Sequence, residues 1–259
     1  MKKKIIVILL IVLVCLGILI FVNHNKKTDS KEQLNTSEYK LTTKIEEYTT
    51  KNQEGTIISK NEVTKVSISN NSKKEQASKI EKTINDKINN YWDRVKETAD
   101  ELIESGFYDA TIENLDFGIS IKASEYAKSK NNYIIEVTEE GAFNGAKWDA
   151  KLLYNFNPNT GELLKLKDIS NNYEELEKAI INKVREYLNK EYQKDELFIE
   201  DKSDNELFNI IEEDGNWAIT EEGLIIIYQK DEIAPSSTGI IEINIDINDI
   251  KEYLNSEYK

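Results

Sequence analysis

The chain has 259 residues and carries 34 Lys+Arg against 48 Asp+Glu, a formal net charge of −14, with one cysteine and one histidine. Cys15 alone permits no intrachain disulfide and no cysteine-based metal site. With His24 as the only histidine, neither Ser-His-Asp or Cys-His machinery nor a site with two histidine ligands can be assembled. No cofactor, metal or catalytic residue is therefore expected, although carboxylate pairs of the kind that hydrolyse glycans survive this count.

In chain order the first element is an uncharged apolar run over residues 5–22, preceded by Lys2, Lys3 and Lys4. As a helix it would extend about 27 Å, enough to cross the hydrocarbon core of a bilayer. A cleaved signal peptide is the competing reading, but the run is long for one and no A-x-A-like site follows Phe21. Lipoprotein processing needs small residues before the cysteine, and Leu13 and Val14 stand there instead. Residues 1–24 are read as an uncleaved single-pass membrane anchor. The three lysines keep the N-terminus cytoplasmic and leave the bulk of the chain outside, while Lys26 and Lys27 pull weakly the other way. Without the three anchor lysines, 31 (34 − 3) basic residues face 48 acidic ones, so residues 23–259 carry −17. Such a charge disfavours nucleic acid and anionic membrane or wall polymers, and favours cationic partners.

Residues 25–37 are polar, lack periodicity and read as a stalk. A strand-strand-helix module is expected over 38–115. Its strands carry Tyr39, Leu41 and Ile45, then Ile57, Val63, Val66 and Ile68. Its helix, over 73–104, carries one apolar stripe through Ala77, Ile80, Ile84, Ile88, Tyr91, Val95, Ala99 and Leu102, with Asn71 or Ser72 as cap and Gly106 as stop. A second domain is expected over 116–259. It opens with alternating strands around Ile119, Ile135 and Leu152, and a hairpin over 148–166 that turns at Asn157-Pro158-Asn159-Thr160-Gly161. A helix over about 172–192 follows, with Asn172 and Glu175 as a capping box, then a short helix near 206–211. Strands at 224–228 and 240–247 and a last helix carrying Ile250 and Leu254 complete the chain. The fold class is α+β: a mainly antiparallel sheet packed by two long helices and a C-terminal helix, preceded by the membrane helix.

The order Trp217, Gly223, the apolar run 224–228, Glu232-Ile233-Ala234-Pro235, Gly239 and the alternating run 240–245 resembles the C-terminal domain of unknown function of RsiV-like proteins. The turn Tyr154-Asn155-Phe156-Asn157-Pro158-Asn159-Thr160-Gly161 is similar to that family's Y-x-F-x-x-x-T-G signature. Ile84-Asn85-Asp86-Lys87-Ile88-Asn89 resembles the helix of the preceding module, shared with PdaC-type peptidoglycan deacetylases. Together the similarities span about 40–256. Two departures are Asp231, where an aromatic is usual, and Ser236 after Pro235. The deacetylase domain is absent, and only four residues precede the apolar run where an anti-sigma segment would lie. The resemblance thus implies an extracytoplasmic binding module without catalysis, and lysozyme as a possible cationic protein ligand. Glu232, Ile233, Pro235, Ser236, Ser237 and Thr238 are the candidate partner-binding residues. Pro235 and Gly239 also suit a plain connection between strands. A peptidoglycan-binding or wall-organising module, and less favoured a carboxylate-based glycan hydrolase, remain as alternatives. Trp148 and Trp217 read as core, and Glu212-Glu213-Asp214 and Glu221-Glu222 as solvated acidic loops, with contact to a cationic protein as the alternative.

Overall fold

Two antiparallel strands, β1 (Lys40–Lys51) and β2 (Ile57–Ser69), begin the folded part, and helix α1 (Lys74–Glu104) follows them. The computed structural model describes residues 38–51, 57–104, 117–143, 146–193, 196–199 and 202–259. The apolar run, the stalk and the expected helix stop at Gly106 lie outside these residues. Strands β3 (Phe117–Lys128), β4 (Tyr133–Phe143) and β5 (Ala146–Phe156) form an antiparallel meander. Because α1 carries the chain back along the sheet, β2 and β3 run parallel, pairing Lys60 with Gly118 through Val63 with Ile121. The result is a five-stranded sheet in the order β1-β2-β3-β4-β5. It takes strands from both expected segments, 38–115 and 116–259, and they share one hydrophobic core: Ala77, Ile80, Ile84 and Ile88 of α1 meet Val63, Val66, Ile121, Ile135, Val137 and Phe156. The helical stripe is therefore the lid of this core.

The rest of the chain builds a second sheet and its own helical cover. Helices α2 (Tyr173–Glu191) and α3 (Asp204–Glu212) precede strands β6 (Trp217–Ile219), β7 (Gly223–Tyr228) and β8 (Ile241–Asp246), which pair antiparallel in that order. One face, with Trp217, Ile219, Leu224, Ile226, Tyr228, Ile241, Ile243 and Ile245, packs on Leu176, Ile180, Val184 and Leu188 of α2 and on Leu207, Phe208 and Ile211 of α3. The other face presents Ala218, Ile225 and Ile227 to Ile134 of β4 and Leu153 of β5. The layers thus run helix, sheet, sheet, helices. Strand β7 is buried along its whole length, as its unbroken run Leu224-Ile225-Ile226-Ile227 requires, whereas β8 alternates because one of its faces is only partly covered.

The two sheets join along the outer edge of β5, and mostly through side chains. Leu153 N–H donates to Gly215 O at 2.7 Å. The buried Asn155 amide donates to Trp217 O at 2.6 Å and accepts from Ile219 N–H at 3.1 Å, copying the pattern of a neighbouring strand. Gln229 does the same for Lys151, donating to its carbonyl at 2.7 Å and accepting from its N–H at 3.2 Å. On the other side of the sheet, Asn85 of α1 brackets Val66, accepting from its N–H at 2.9 Å and donating to its carbonyl at 2.7 Å. Glu81 accepts from Ile68 N–H at 2.7 Å.

Several expectations are corrected. There are two sheets rather than one; they are mainly antiparallel, as expected, with β2–β3 as the parallel pair. The second arm of the 148–166 hairpin is not a strand. After a single bridge between Phe156 and Leu163, the Asp168 carboxylate caps Lys165 N–H at 2.8 Å and Leu166–Ile169 wind into a 3-10 turn. The alternation of Leu164 and Leu166 reflects burial against the core of the second sheet. The turn into helix α1 is fastened by Asn70, whose Oδ1 accepts from Ser72 and Lys73 N–H at 3.1 and 2.9 Å just ahead of the first helical residue. Asn172 is the N-cap residue of α2 but makes no capping bond with its side chain, and Glu175 instead binds Lys178 at 2.8 Å. The last helix is short, α4 (Ile247–Ile250) followed by a 3-10 turn. Trp217 is core, as expected, whereas Trp148 is half-buried at the core's margin and donates to Glu139 Oε1 at 2.7 Å.

Two substitutions test this architecture. Gly161 has φ +76°, and a Cβ there would stand 2.7 Å from Gln76 O on α1; Gly239 has φ +83° with open space around it. A backbone conformation that only glycine adopts readily costs another residue about 1–3 kcal/mol. Gly239→Ala should lose about that much, and Gly161→Ala clearly more, in urea denaturation. Asn155→Leu strands two buried backbone groups of β6 and should cost about 2–4 kcal/mol by the same measurement.

Candidate functional site

The loop from Gln229 to Gly239 joins β7 to β8 and is fastened from within. Asp231 adopts φ 65°, in the left-handed region. From there its carboxylate accepts from the N–H of Ser236 at 2.9 Å and from the Ser236 hydroxyl. Glu232 Oε2 accepts from Gln229 N–H at 2.6 Å. Thr238 N–H donates to Pro235 O and Gly239 N–H to Ser236 O, closing a 3-10 turn over Ser236–Thr238. Burial pushes the Glu232 carboxyl up; the Gln229 N–H opposes this, and the Glu213 carboxylate adds to it. Lys230 is anchored to Asp149 of β5.

The candidate residues therefore divide. Ser236 and Ser237 are exposed, and Glu232, Pro235 and Thr238 are half-buried. Ile233 is fully buried in the core of the second sheet, and its carbonyl accepts from Phe198 N–H at 2.8 Å, so its apolar side chain is a foot of the loop rather than a contact. Asp231 holds the exposed turn in shape.

A second feature lies between the sheets. The bulge between Glu125 and Ala127 places Tyr126 beside a cleft of about 690 Å³ that runs from the β3–β4 turn to the β6–β7 turn and the end of β8. Its walls include Tyr126, Lys128, Asn132, Ile134, Glu221, Glu222, Ile225 and Asp246. A smaller cleft of about 390 Å³ shares Asn132, Thr220 and Glu221 and reaches Glu257 and Tyr258. In the same region Lys151 Nζ binds Glu242 at 2.7 Å and Glu136 at 3.5 Å and lies 5.5 Å from the centre of the Tyr126 ring. Burial pulls the Lys151 ammonium down, but Glu242 and Glu136 outweigh it and hold it above the ordinary lysine value. Sequence reasoning singled out only Glu221 and Glu222. Tyr126, Asn132 and Asp246 come from separate segments, and no spacing links them.

Among the described residues no group of histidine, cysteine or carboxylate side chains could hold a metal ion. Glu139 of β4 is a buried carboxylate. Oε1 accepts from Trp148, whereas Oε2 has no hydrogen-bond partner. Burial raises its carboxyl above the ordinary value, against the lowering effect of the indole N–H.

Comparison with known proteins finds a family match within the second half of the chain. Residues 161–248 match DUF3298, a family described as a protein of unknown function. The matched stretch holds α2, α3, the three-stranded sheet and the 229–239 loop. A DUF3298-family protein of Bacteroides fragilis has a similar crystal structure, with TM-score 0.55 at 14% identity, covering 86% of this chain and 96% of the other. A DUF3298-family protein of Pseudomonas aeruginosa PAO1 gives TM-score 0.53 at 12% identity, covering 85% and 96%. At these identities the likeness is one of fold, an α+β arrangement of mainly antiparallel sheets with a few helices. No curated protein matches the chain.

The environment of Glu139 predicts a pH dependence. Its folded pKa lies above the unfolded value, so the neutral form is favoured in the fold. Stability from this group is full below the unfolded pKa and is lost as pH rises through the folded one. Glu139→Gln keeps an acceptor for Trp148 without the charge. The variant should melt higher than the wild type near about pH 7, and the gap should close as pH falls through the carboxylate range.

Proposed function

We propose that this chain is a membrane-anchored, extracytoplasmic binding module of the RsiV-like kind that recognises a cationic wall-related protein, with lysozyme as the first candidate. The observation that carries the reading is the charge of −17 over residues 23–259. Opposite charge speeds encounter and discriminates against anionic wall polymers. The loop over 229–239 supports the reading: its exposed turn at Ser236 and Ser237 is held by bonds inside the loop. A contact that is already ordered loses little conformational freedom on binding. Binding through residues 5–22 to the membrane keeps the module beside the wall, and the reading assigns it no bond-breaking step.

Titration calorimetry of the full chain in detergent micelles with a cationic lysozyme, at low and high salt, tests this. Salt screens exposed charges over about 8 Å at physiological strength, whereas buried contacts are screened much less. Part of the affinity should therefore survive high salt. Replacing Pro235, Ser236 and Ser237 together by alanine changes no formal charge. It should weaken the complex about tenfold while circular dichroism shows the fold retained. If lysozyme does not bind at any salt while the chain sediments with purified sacculi, the wall-binding alternative takes its place.

A further inference from the structure

We propose that the cleft between the two sheets is a receptor for a basic side chain of a protein or peptide, arginine in preference to lysine. This deepens the reading above and shares with it only the premise that the partner is cationic.

The first observation is Asn132, at the end of the β3–β4 turn. It is 4% exposed, lines both clefts, and its Nδ2 donates to Ile219 O. That bond fixes the amide's orientation, since the flipped form would set two carbonyl oxygens against each other. Oδ1 is thereby left as a buried acceptor without a partner. Buried acceptors in folded proteins are almost always satisfied, and each exception calls for an explanation. What this position lacks is a donor.

The second observation is the charge around it. Glu221 lines both clefts and Glu222 the larger one, and neither is in an ion pair among the described residues. Lys128 lines the larger cleft and pairs with Glu125 at 3.1 Å, and Lys130 and Lys259 line the smaller one beside Glu221 and Glu257, so the excess of carboxylates lies in the larger cleft. Asp246 already caps α4 through Asn248 N–H at 2.7 Å. The Tyr126 hydroxyl reports the local field. Burial raises its pKa first and Glu242 next; Lys151 opposes them, and Glu136 and Glu222 each add a smaller upward push.

The remaining walls suit the stem of such a side chain. Ile134 and Ile225 supply apolar surface for methylenes, and the Tyr126 ring supplies a face on which a guanidinium can stack. Arginine is preferred because its planar fork carries five donors and no acceptor, enough to serve a carboxylate and an amide oxygen at once.

The probe is the tripeptide acetyl-Gly-Arg-Gly-amide, set against the same peptide with citrulline, which keeps the shape and loses the charge. With the full chain in micelles, the arginine peptide should bind at least about tenfold more tightly than the citrulline peptide, the factor expected for one charge-assisted contact. The Asn132 side-chain amide resonances should shift with the first peptide only. Glu221→Gln/Glu222→Gln should weaken binding about tenfold. Glu174→Gln/Glu213→Gln, which removes the same charge from exposed positions outside the cleft, should leave it within about twofold. Equal binding of the two peptides, equal loss in the two double variants, or spermidine binding as tightly as the arginine peptide would each overturn the assignment. A positive peptide result without lysozyme binding sinks the lysozyme reading and leaves the cleft standing. A lysozyme complex with no peptide binding does the reverse.

Discussion

Every strand that loses its neighbour leaves N–H and C=O groups that must be satisfied some other way, and this constraint governs how the layers meet. β2 pairs with β3 over only four residues, and beyond them Asn85 and Glu81 of the covering helix serve Val66 and Ile68. Along the outer edge of β5, Gln229 serves Lys151, Gly215 serves Leu153, and Leu164 N–H reaches Asn155 O at 2.8 Å. The Asn155 side chain then carries the pattern across to β6. Primary amides suit this work, since each offers a donor and an acceptor in nearly the geometry of a peptide group. The second sheet can therefore lie over the face of the first while remaining tied to its edge.

The helices and strands were legible because their signal is burial with a period. The stripe Ala77-Ile80-Ile84-Ile88 and the alternation through Ile119 and Ile121 are what one-sided burial imposes on helix and strand. The joints were not legible. Asn85, Asn155 and Gln229 are isolated polar residues in a chain rich in asparagine, and nothing in their spacing separates an amide that copies a strand from one that faces solvent. The second arm of the 148–166 hairpin was misread for a related reason. Alternation reports which residues are buried, and Leu164 and Leu166 are buried without a partner strand beside them.

The candidate sites show the same division. Pro235 and Gly239 marked the loop correctly as a turn, because both are backbone signals that sequence carries openly. That Ile233 points into the core, and that Asp231 rather than an aromatic holds the turn, depends on contacts across the loop. The inter-sheet cleft lay further from view: Tyr126 reaches it through a bulge, and Asn132 and Glu221 meet only because the small sheet folds over β3 and β4.

The Tyr39 hydroxyl donates to Pro158 O at 2.7 Å, joining residues 119 positions apart, and the ring stacks on Tyr133 at 5.1 Å between centroids. On a chain emerging from the ribosome, the first hairpin and its long helix would be complete while half of the surface that should cover them was still unmade. Contacts of such long range are slow to form, because the intervening chain must first be ordered. Until the turn at Pro158 arrives, the apolar side of the helix would be open to association with other chains, and the amide bridge to β6 could close only some sixty residues later still. Assembly of the first sheet thus depends on contacts between segments far apart in the chain.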